Sequence, residues 1–197
     1  MTKVSATLQS LSVATENLLT GALPERELAR HGDCIAAYQR ELDYLCRTLR
    51  RLGVAPADLE DVAHDVFVVV HRRWADYDAS FPLRPWLFGI AFRVASAHRK
   101  RAKREVLAAS VGVDIEDLAP HPDQVVAVEE ARALVLAALE RIPLPRRAVL
   151  VMHDLDGAAM HDIAQVLSIP LFTAYSRLRK ARVELEASVL RLRKGFS

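Results

Sequence analysis

The chain has 197 residues, of which 51% are hydrophobic and 26% charged, with a formal net charge of +2. Those proportions allow one substantial buried core or two small ones and exclude a chain disordered throughout. The charges are segregated: cations gather over 98–104 and 177–194, carboxylates over 58–65 and 114–130, and a local basic stripe attracts polyanions whatever the sum. Cys34 and Cys46 are the only cysteines; without metal-ligand spacing they read as small residues of a reducing cytosol. No apolar run is long enough to span a bilayer, and residues 1–20 lack the apolar core and cleavage site of a secretory signal, so a cytoplasmic protein without membrane insertion is expected. Few glycines, no repeat and no strand-like alternation point to an all-α chain.

Residues 1–30 are rich in Ser, Thr and Ala with weak periodicity and read as a flexible N-terminal extension. From there Ile35, Tyr38, Leu42, Leu45, Leu49 and Leu52 recur every three or four positions until Gly53 ends the helix. Pro56-Ala57-Asp58 opens a second helix with Asp58 as its cap, and Leu59, Val62, Ala63, Val66, Phe67, Val70 and Trp74 form its buried face. Its other face begins acidic. Asp61 and Asp65 stand one helical turn apart, a like-charge pair that costs an isolated helix about 0.2–0.5 kcal/mol. Such a face is either plain solvated surface or the complement of a basic partner.

A loop over 76–85 carries Tyr77, Phe81 and two prolines, and Trp86, Leu87, Ile90, Ala91 and Val94 mark a third helix that ends in the basic run from His98 to Arg104. Aromatic rings beside a row of cations suit single-stranded DNA, whose bases stack while its phosphates are neutralised. Trp86 suits a core position equally well. These three helices make a first domain, 31–104. Residues 105–124 hold Gly112, Pro120 and Pro122 among carboxylates and read as an acidic linker.

Helical periodicity resumes over 125–141, is punctuated by Pro143 and Pro145, and continues to Leu155 and Asp156-Gly157. Ile163 and Leu167 then stand one turn apart, Ser168-Ile169-Pro170 break the pattern, and Ala174, Leu178, Ala181 and Leu185 restore it. This predicts two short helices and a tight turn. On the exposed side of the second lie Tyr175, Ser176, Arg177, Arg179, Lys180 and Arg182, donors that base edges and phosphates accept. The alternative is an ordinary helical hairpin with a solvated basic face. The fold class expected is all-α: two small helical domains, 31–104 and 125–197, joined by an acidic linker, the second containing a helix-turn-helix.

Taken in order, several segments resemble the extracytoplasmic-function (ECF) group of bacterial RNA polymerase sigma factors. Asp58-Leu59-Glu60-Asp61-Val62-Ala63-His64-Asp65-Val66-Phe67 is similar to the helix with which that family grips the polymerase. Leu83-Arg84-Pro85-Trp86-Leu87-Phe88-Gly89-Ile90-Ala91 resembles its phenylalanine-arginine-alanine-tryptophan-leucine signature. Ile142-Pro143-Leu144-Pro145-Arg146-Arg147-Ala148-Val149-Leu150, Asp162-Ile163-Ala164 and Ser176-Arg177-Leu178 resemble its helix-turn-helix. The chain departs from the family at His64, where glutamine is common, at Ser168 and Phe172, where glycine is, and at Tyr175, where a basic residue is. On the third helix Arg93 and Ala97 stand where asparagine and aspartate are common.

The resemblance implies an initiation factor with a sigma region 2-like and a sigma region 4-like domain, which directs core RNA polymerase to promoter DNA. By that likeness Asp58, Glu60, Asp61, His64, Asp65 and Val68 bind polymerase. Asp76, Tyr77, Phe81, Arg84, Trp86, Arg93, Arg99, Lys100 and Arg101 meet the opened minus-ten element. Phe172, Thr173, Tyr175, Ser176, Arg177, Arg179, Lys180 and Arg182 meet the minus-thirty-five duplex. Asp114, Glu116 and Asp117 of the linker would enter the polymerase cleft, and an anti-sigma factor is an implied partner. No enzymatic activity and no cofactor are expected: Glu60 with His64 and His71, or His153 with His161, form no complete ligand set. The competing function is a stand-alone helix-turn-helix transcriptional regulator, which leaves the tryptophan-containing basic helix unexplained.

Overall fold

The computed structural model describes the backbone of residues 25–109 and 126–195 and the side chains of 33–104 and 130–194. Among the described residues the regular structure is entirely helical. Helix α1 (Glu25–Arg51) begins before residue 30, so part of the expected extension is helical; residues 1–24 lie outside the described residues. It buries Cys34, Tyr38, Leu45 and Leu49, and Leu52 in the turn that follows is buried with them. Its end is a Schellman closure: Gly53 takes φ +85, its N–H donates to Arg50 O at 2.9 Å, and Val54 N–H donates to Leu49 O at 3.0 Å.

A 3-10 turn (Pro56–Asp58) runs directly into α2 (Leu59–Arg73). Val62, Ala63, Val66 and Val70 are buried on one side of α2, while Leu59, Phe67 and Trp74 are partly covered against the core. The expected side-chain cap is not made. Capping needs extended backbone at that position, whereas Asp58 has φ −94 and ψ −2 because the 3-10 turn is continuous with the helix. Its carboxylate instead meets His98 Nε2 of the third helix at 3.1 Å.

A second 3-10 turn (Trp74–Asp76) and a short loop lead to α3 (Leu83–Ala109), which buries Leu87, Phe88, Ile90, Ala91 and Ala95. With no glycine or proline between Gly89 and Gly112, α3 runs past its basic stretch into the segment expected as linker. The rest of that linker, with Asp114, Glu116 and Asp117, falls outside the described residues.

The second unit comprises α4 (Val126–Glu140), α5 (Leu144–Leu150), a π turn (Val151–Leu155), α6 (Met160–Val166) and α7 (Leu171–Gly195). Pro145 sits in the first turn of α5, where its missing N–H leaves nothing unsatisfied. Ala174, Leu178 and Ala181 of α7 are buried with Ala148, Val149, Ile163 and Ala164. Arg146 braces α5 to α7 through Glu184, with its Nε at 2.9 Å and Nη2 at 2.6 Å from the two carboxylate oxygens.

The two units pack on each other. α3 touches α6, α1 touches α4, and one apolar cluster runs from Leu45 and Phe88 to Ile163 and Leu178. No helix among the described residues is long and apolar enough to cross a membrane.

Candidate nucleic-acid interface

The face of α2 opposite its buried valines exposes Glu60, Asp61, His64 and Asp65, with Asp58 and Val68 half-covered at its margins. Positions 58, 61, 65 and 68 follow helical spacing, so one stripe holds three carboxylates without burying any of them.

Where α2 gives way to α3, three aromatic rings converge. Trp74 stacks on Tyr77 at 5.4 Å and 28°; Trp86 meets Tyr77 at 4.9 Å and lies edge-on to Trp74 at 6.0 Å. The loop between them is held locally: Tyr77 donates its hydroxyl to Phe81 O at 2.7 Å, and Ser80 N–H donates to Asp78 Oδ1 at 2.9 Å. Partial burial, then the charge of Asp78, pushes the Tyr77 phenol up, so it remains a donor. Asp76, Tyr77, Phe81, Trp86 and Arg93 line one open crevice of about 390 Å³. Trp86 combines both sequence readings, being packed against the core on one side and lining this crevice on the other.

The remaining residues expected at the minus-ten strand lie elsewhere. Arg84 turns away: its Nε donates to Glu41 at 2.8 Å, and its guanidinium stands 5.1 Å over the Tyr44 ring, in a separate crevice with Asp156. Arg99 folds back on the loop after α1 and donates to Gly53 O at 2.7 Å. Lys100 and Arg101 are exposed farther along α3. Trp74 was legible only as a buried apolar position, because the 3-10 turn that rotates it toward Tyr77 has no sequence periodicity.

In the second unit the helix-turn-helix is formed by α6 and the first half of α7, a helix of 25 residues where a short one was expected. Its turn is closed by Ser168, the one non-glycine residue with positive φ (+53) among the described residues, with Ile169 N–H donating to Ala164 O at 3.0 Å. This is the same closure as at Gly53, and it explains a glycine preference at the position. Phe172 is 83% and Tyr175 55% exposed; Arg179, Lys180 and Arg182 are exposed beside them, whereas Thr173, Ser176 and Arg177 are half-covered. Arg182 is engaged by Asp154 at 2.8 and 2.6 Å. His153 pairs with the same carboxylate at 2.7 Å, and no cluster of three or more potential metal ligands occurs among the described residues.

Comparison with known proteins matches residues 37–105 to sigma-70 region 2 and residues 132–185 to sigma-70 region 4. The chain is 28% identical over 168 residues to the RNA polymerase sigma factor CnrH of Cupriavidus metallidurans, covering 81% of this chain and 83% of that protein. It is 30% identical over 148 residues to the ECF RNA polymerase sigma factor SigM of Mycobacterium tuberculosis, covering 75% and 71%. Among solved structures, the sigma factor RpoE of Bartonella quintana, in complex with the anti-sigma factor NepR, superposes with a TM-score of 0.61 at 23% identity over 78% of this chain and 96% of that one. Both matched regions keep the order read here, and the likeness to SigM is longer than either region. The chain therefore belongs to the ECF RNA polymerase sigma factors.

Proposed function

We propose a division of labour in which the acidic face of α2 binds core RNA polymerase, the aromatic crevice holds the opened minus-ten strand, and α7 reads the minus-thirty-five duplex. As a sigma factor the chain directs promoter-specific initiation. The observation that carries the rest is the crevice: Tyr77 and Trp86 offer flat apolar surface, and Arg93 on the same wall offers a cation for the backbone. Asp58, Glu60, Asp61, His64, Asp65 and Val68 supply the polymerase face. Phe172, Thr173, Tyr175, Ser176, Arg177, Arg179, Lys180 and Arg182 supply the duplex-facing surface. The protein performs no reaction of its own, works in the cytoplasm and, by likeness to the NepR complex of the Bartonella relative, answers to an anti-sigma factor.

Incubating the purified chain with core polymerase and a genomic promoter library, then sequencing the transcripts, tests this directly. Each unit offers few contacts, so promoter affinity should depend on linkage through the polymerase. Tight sequence-specific duplex binding without core, unchanged when core is added, would instead establish a stand-alone regulator.

A further inference from the structure

Phe172 is the most exposed large apolar side chain among the described residues. It stands in the first turn of α7 and has no place in the apolar core cluster, so packing within the chain does not account for it. The rotation of α7 is set by Ala174, Leu178 and Ala181, which are buried. At about 3.6 residues per turn, the side directly opposite that stripe carries Phe172, Ser176, Arg179 and Val183. Tyr175, three residues on, is the lateral neighbour of Phe172 and is exposed as well. Arg179 and Lys180 are exposed within the next two turns. The outermost surface of α7 is thus two aromatic rings followed by cations.

The charges decide which partner fits. An apolar protein surface laid over Phe172 would also desolvate Arg179 and Lys180, whereas phosphates neutralise them. On the base edges of the major groove the projecting apolar group is the thymine C5 methyl. Phe172 has neither donor nor acceptor, so it distinguishes no base by hydrogen bonding and distinguishes thymine by contact. Tyr175 adds a second ring and a hydroxyl able to donate to, or accept from, a neighbouring base edge. With a rise of about 1.5 Å per residue, the two rings stand about 4.5 Å apart along the axis. Successive base pairs are about 3.4 Å apart, so both rings address the same or adjacent steps.

We propose that Phe172 is a specificity-determining residue that selects thymine in the minus-thirty-five duplex, its ring packing on the C5 methyl with Tyr175 beside it, while Arg179 and Lys180 supply the flanking cations. This rests on reading α7 as the duplex-facing helix and goes beyond it by naming the base and the group on that base. The consequence is a promoter preference at one A·T pair that rests on a methyl contact and on no hydrogen bond.

The test uses holoenzyme assembled from the full chain and core polymerase, with a promoter it transcribes whose minus-thirty-five element is randomised. Phe172 is exposed, so Phe172→Ala should melt with the parent; Phe172→Leu, which keeps an apolar contact, is the control. The parent should enrich thymine at one base-pair position. Phe172→Leu should keep that enrichment, and Phe172→Ala should lose it there while retaining the rest of the selected element. Replacing that thymine by deoxyuridine, which lacks only the methyl, should weaken binding by the parent holoenzyme about fourfold, as expected for one apolar carbon left in water. The same replacement should leave the Phe172→Ala holoenzyme unaffected. Equal losses on deoxyuridine in parent and Phe172→Ala would overturn the proposal, as would selection that Phe172→Ala leaves unchanged or alters only where no thymine is enriched. Unchanged selection with impaired holoenzyme assembly would assign the ring to a protein partner instead. A parent without any sequence preference in the element would remove the duplex-reading role of α7 itself, whereas a preferred element indifferent to Phe172 removes only the thymine contact. The deoxyuridine measurement on the parent needs no variant, so it decides the methyl contact even if Phe172→Ala does not fold.

Discussion

Arg182 lies across Asp154 with two bonds, Nε to Oδ2 at 2.8 Å and Nη2 to Oδ1 at 2.6 Å, tying the π turn to α7. The Arg182 bonds, aided by His153 and opposed by burial, hold the Asp154 carboxyl down at about 2. A carboxyl depressed in the folded state stabilises above its ordinary pKa of about 3.9, and that contribution fades as pH falls from about 4 through about 2. Carbon-13 titration should place the Asp154 midpoint near the lower value, and Arg182→Ala should return it toward the ordinary range. A midpoint indifferent to Arg182 would remove the bridge as its cause.

If α7 reads the duplex as proposed, Arg182 is already engaged by Asp154, and the reading falls to neighbours without a carboxylate partner among the described residues. Arg177→Ala or Arg179→Ala should weaken promoter binding by about 1–3 kcal/mol if the guanidinium reads a base, or lower the salt slope by about one unit if it holds only a phosphate. Arg182→Ala should do less than Arg179→Ala. If Arg177 and Arg179 can both be truncated with promoter use and salt dependence intact, this face of α7 does not dock on DNA.

Ser168 holds the turn of the helix-turn-helix at φ +53, a conformation that disfavours a Cβ by roughly 1–2 kcal/mol. Ser168→Gly removes that strain but loosens the unfolded chain, so the net gain should be about 0.5–1 kcal/mol. Thermal melting should rise by about 1–4 °C for a chain of this size. A lower melting temperature would mean that the serine side chain contributes more than its backbone conformation costs.

What the sequence made legible was periodic. The apolar stripes of α1, α2 and α3, the acidic face opposite Val62 and Val66, and the apolar pattern around the helix-turn-helix all follow from residues that repeat with the helix. What it concealed was single and long-range. Asp156 joins Tyr44 and Arg51 across more than half of the chain, Arg84 leaves the expected strand site for Glu41, and Asp58 meets His98 where a cap was expected. Each is one polar side chain choosing a distant partner, a choice that no local spacing encodes. Gly89 falls between the two cases: a glycine inside a helical pattern signals close approach of something, but only the fold shows that Val166 is what approaches.

The acidic stripe of α2 is where a surface role and a binding role separate most cleanly. Asp61 and Asp65 are exposed while Val62, Val66 and Val70 are buried on the other side, so reversing both to lysine should leave the melting temperature nearly unchanged. If the stripe meets a basic surface on core polymerase, the same double reversal turns two attractions into like-charge juxtapositions and should weaken association by several kcal/mol. Duplex contacts by α7 lie on the other unit and should survive. Competition for labelled core polymerase, run beside a melting curve, separates the possibilities. Weaker competition with unchanged melting locates polymerase binding at this helix; unchanged competition with unchanged melting makes the stripe ordinary solvated surface, and polymerase binding must then be sought elsewhere on the chain.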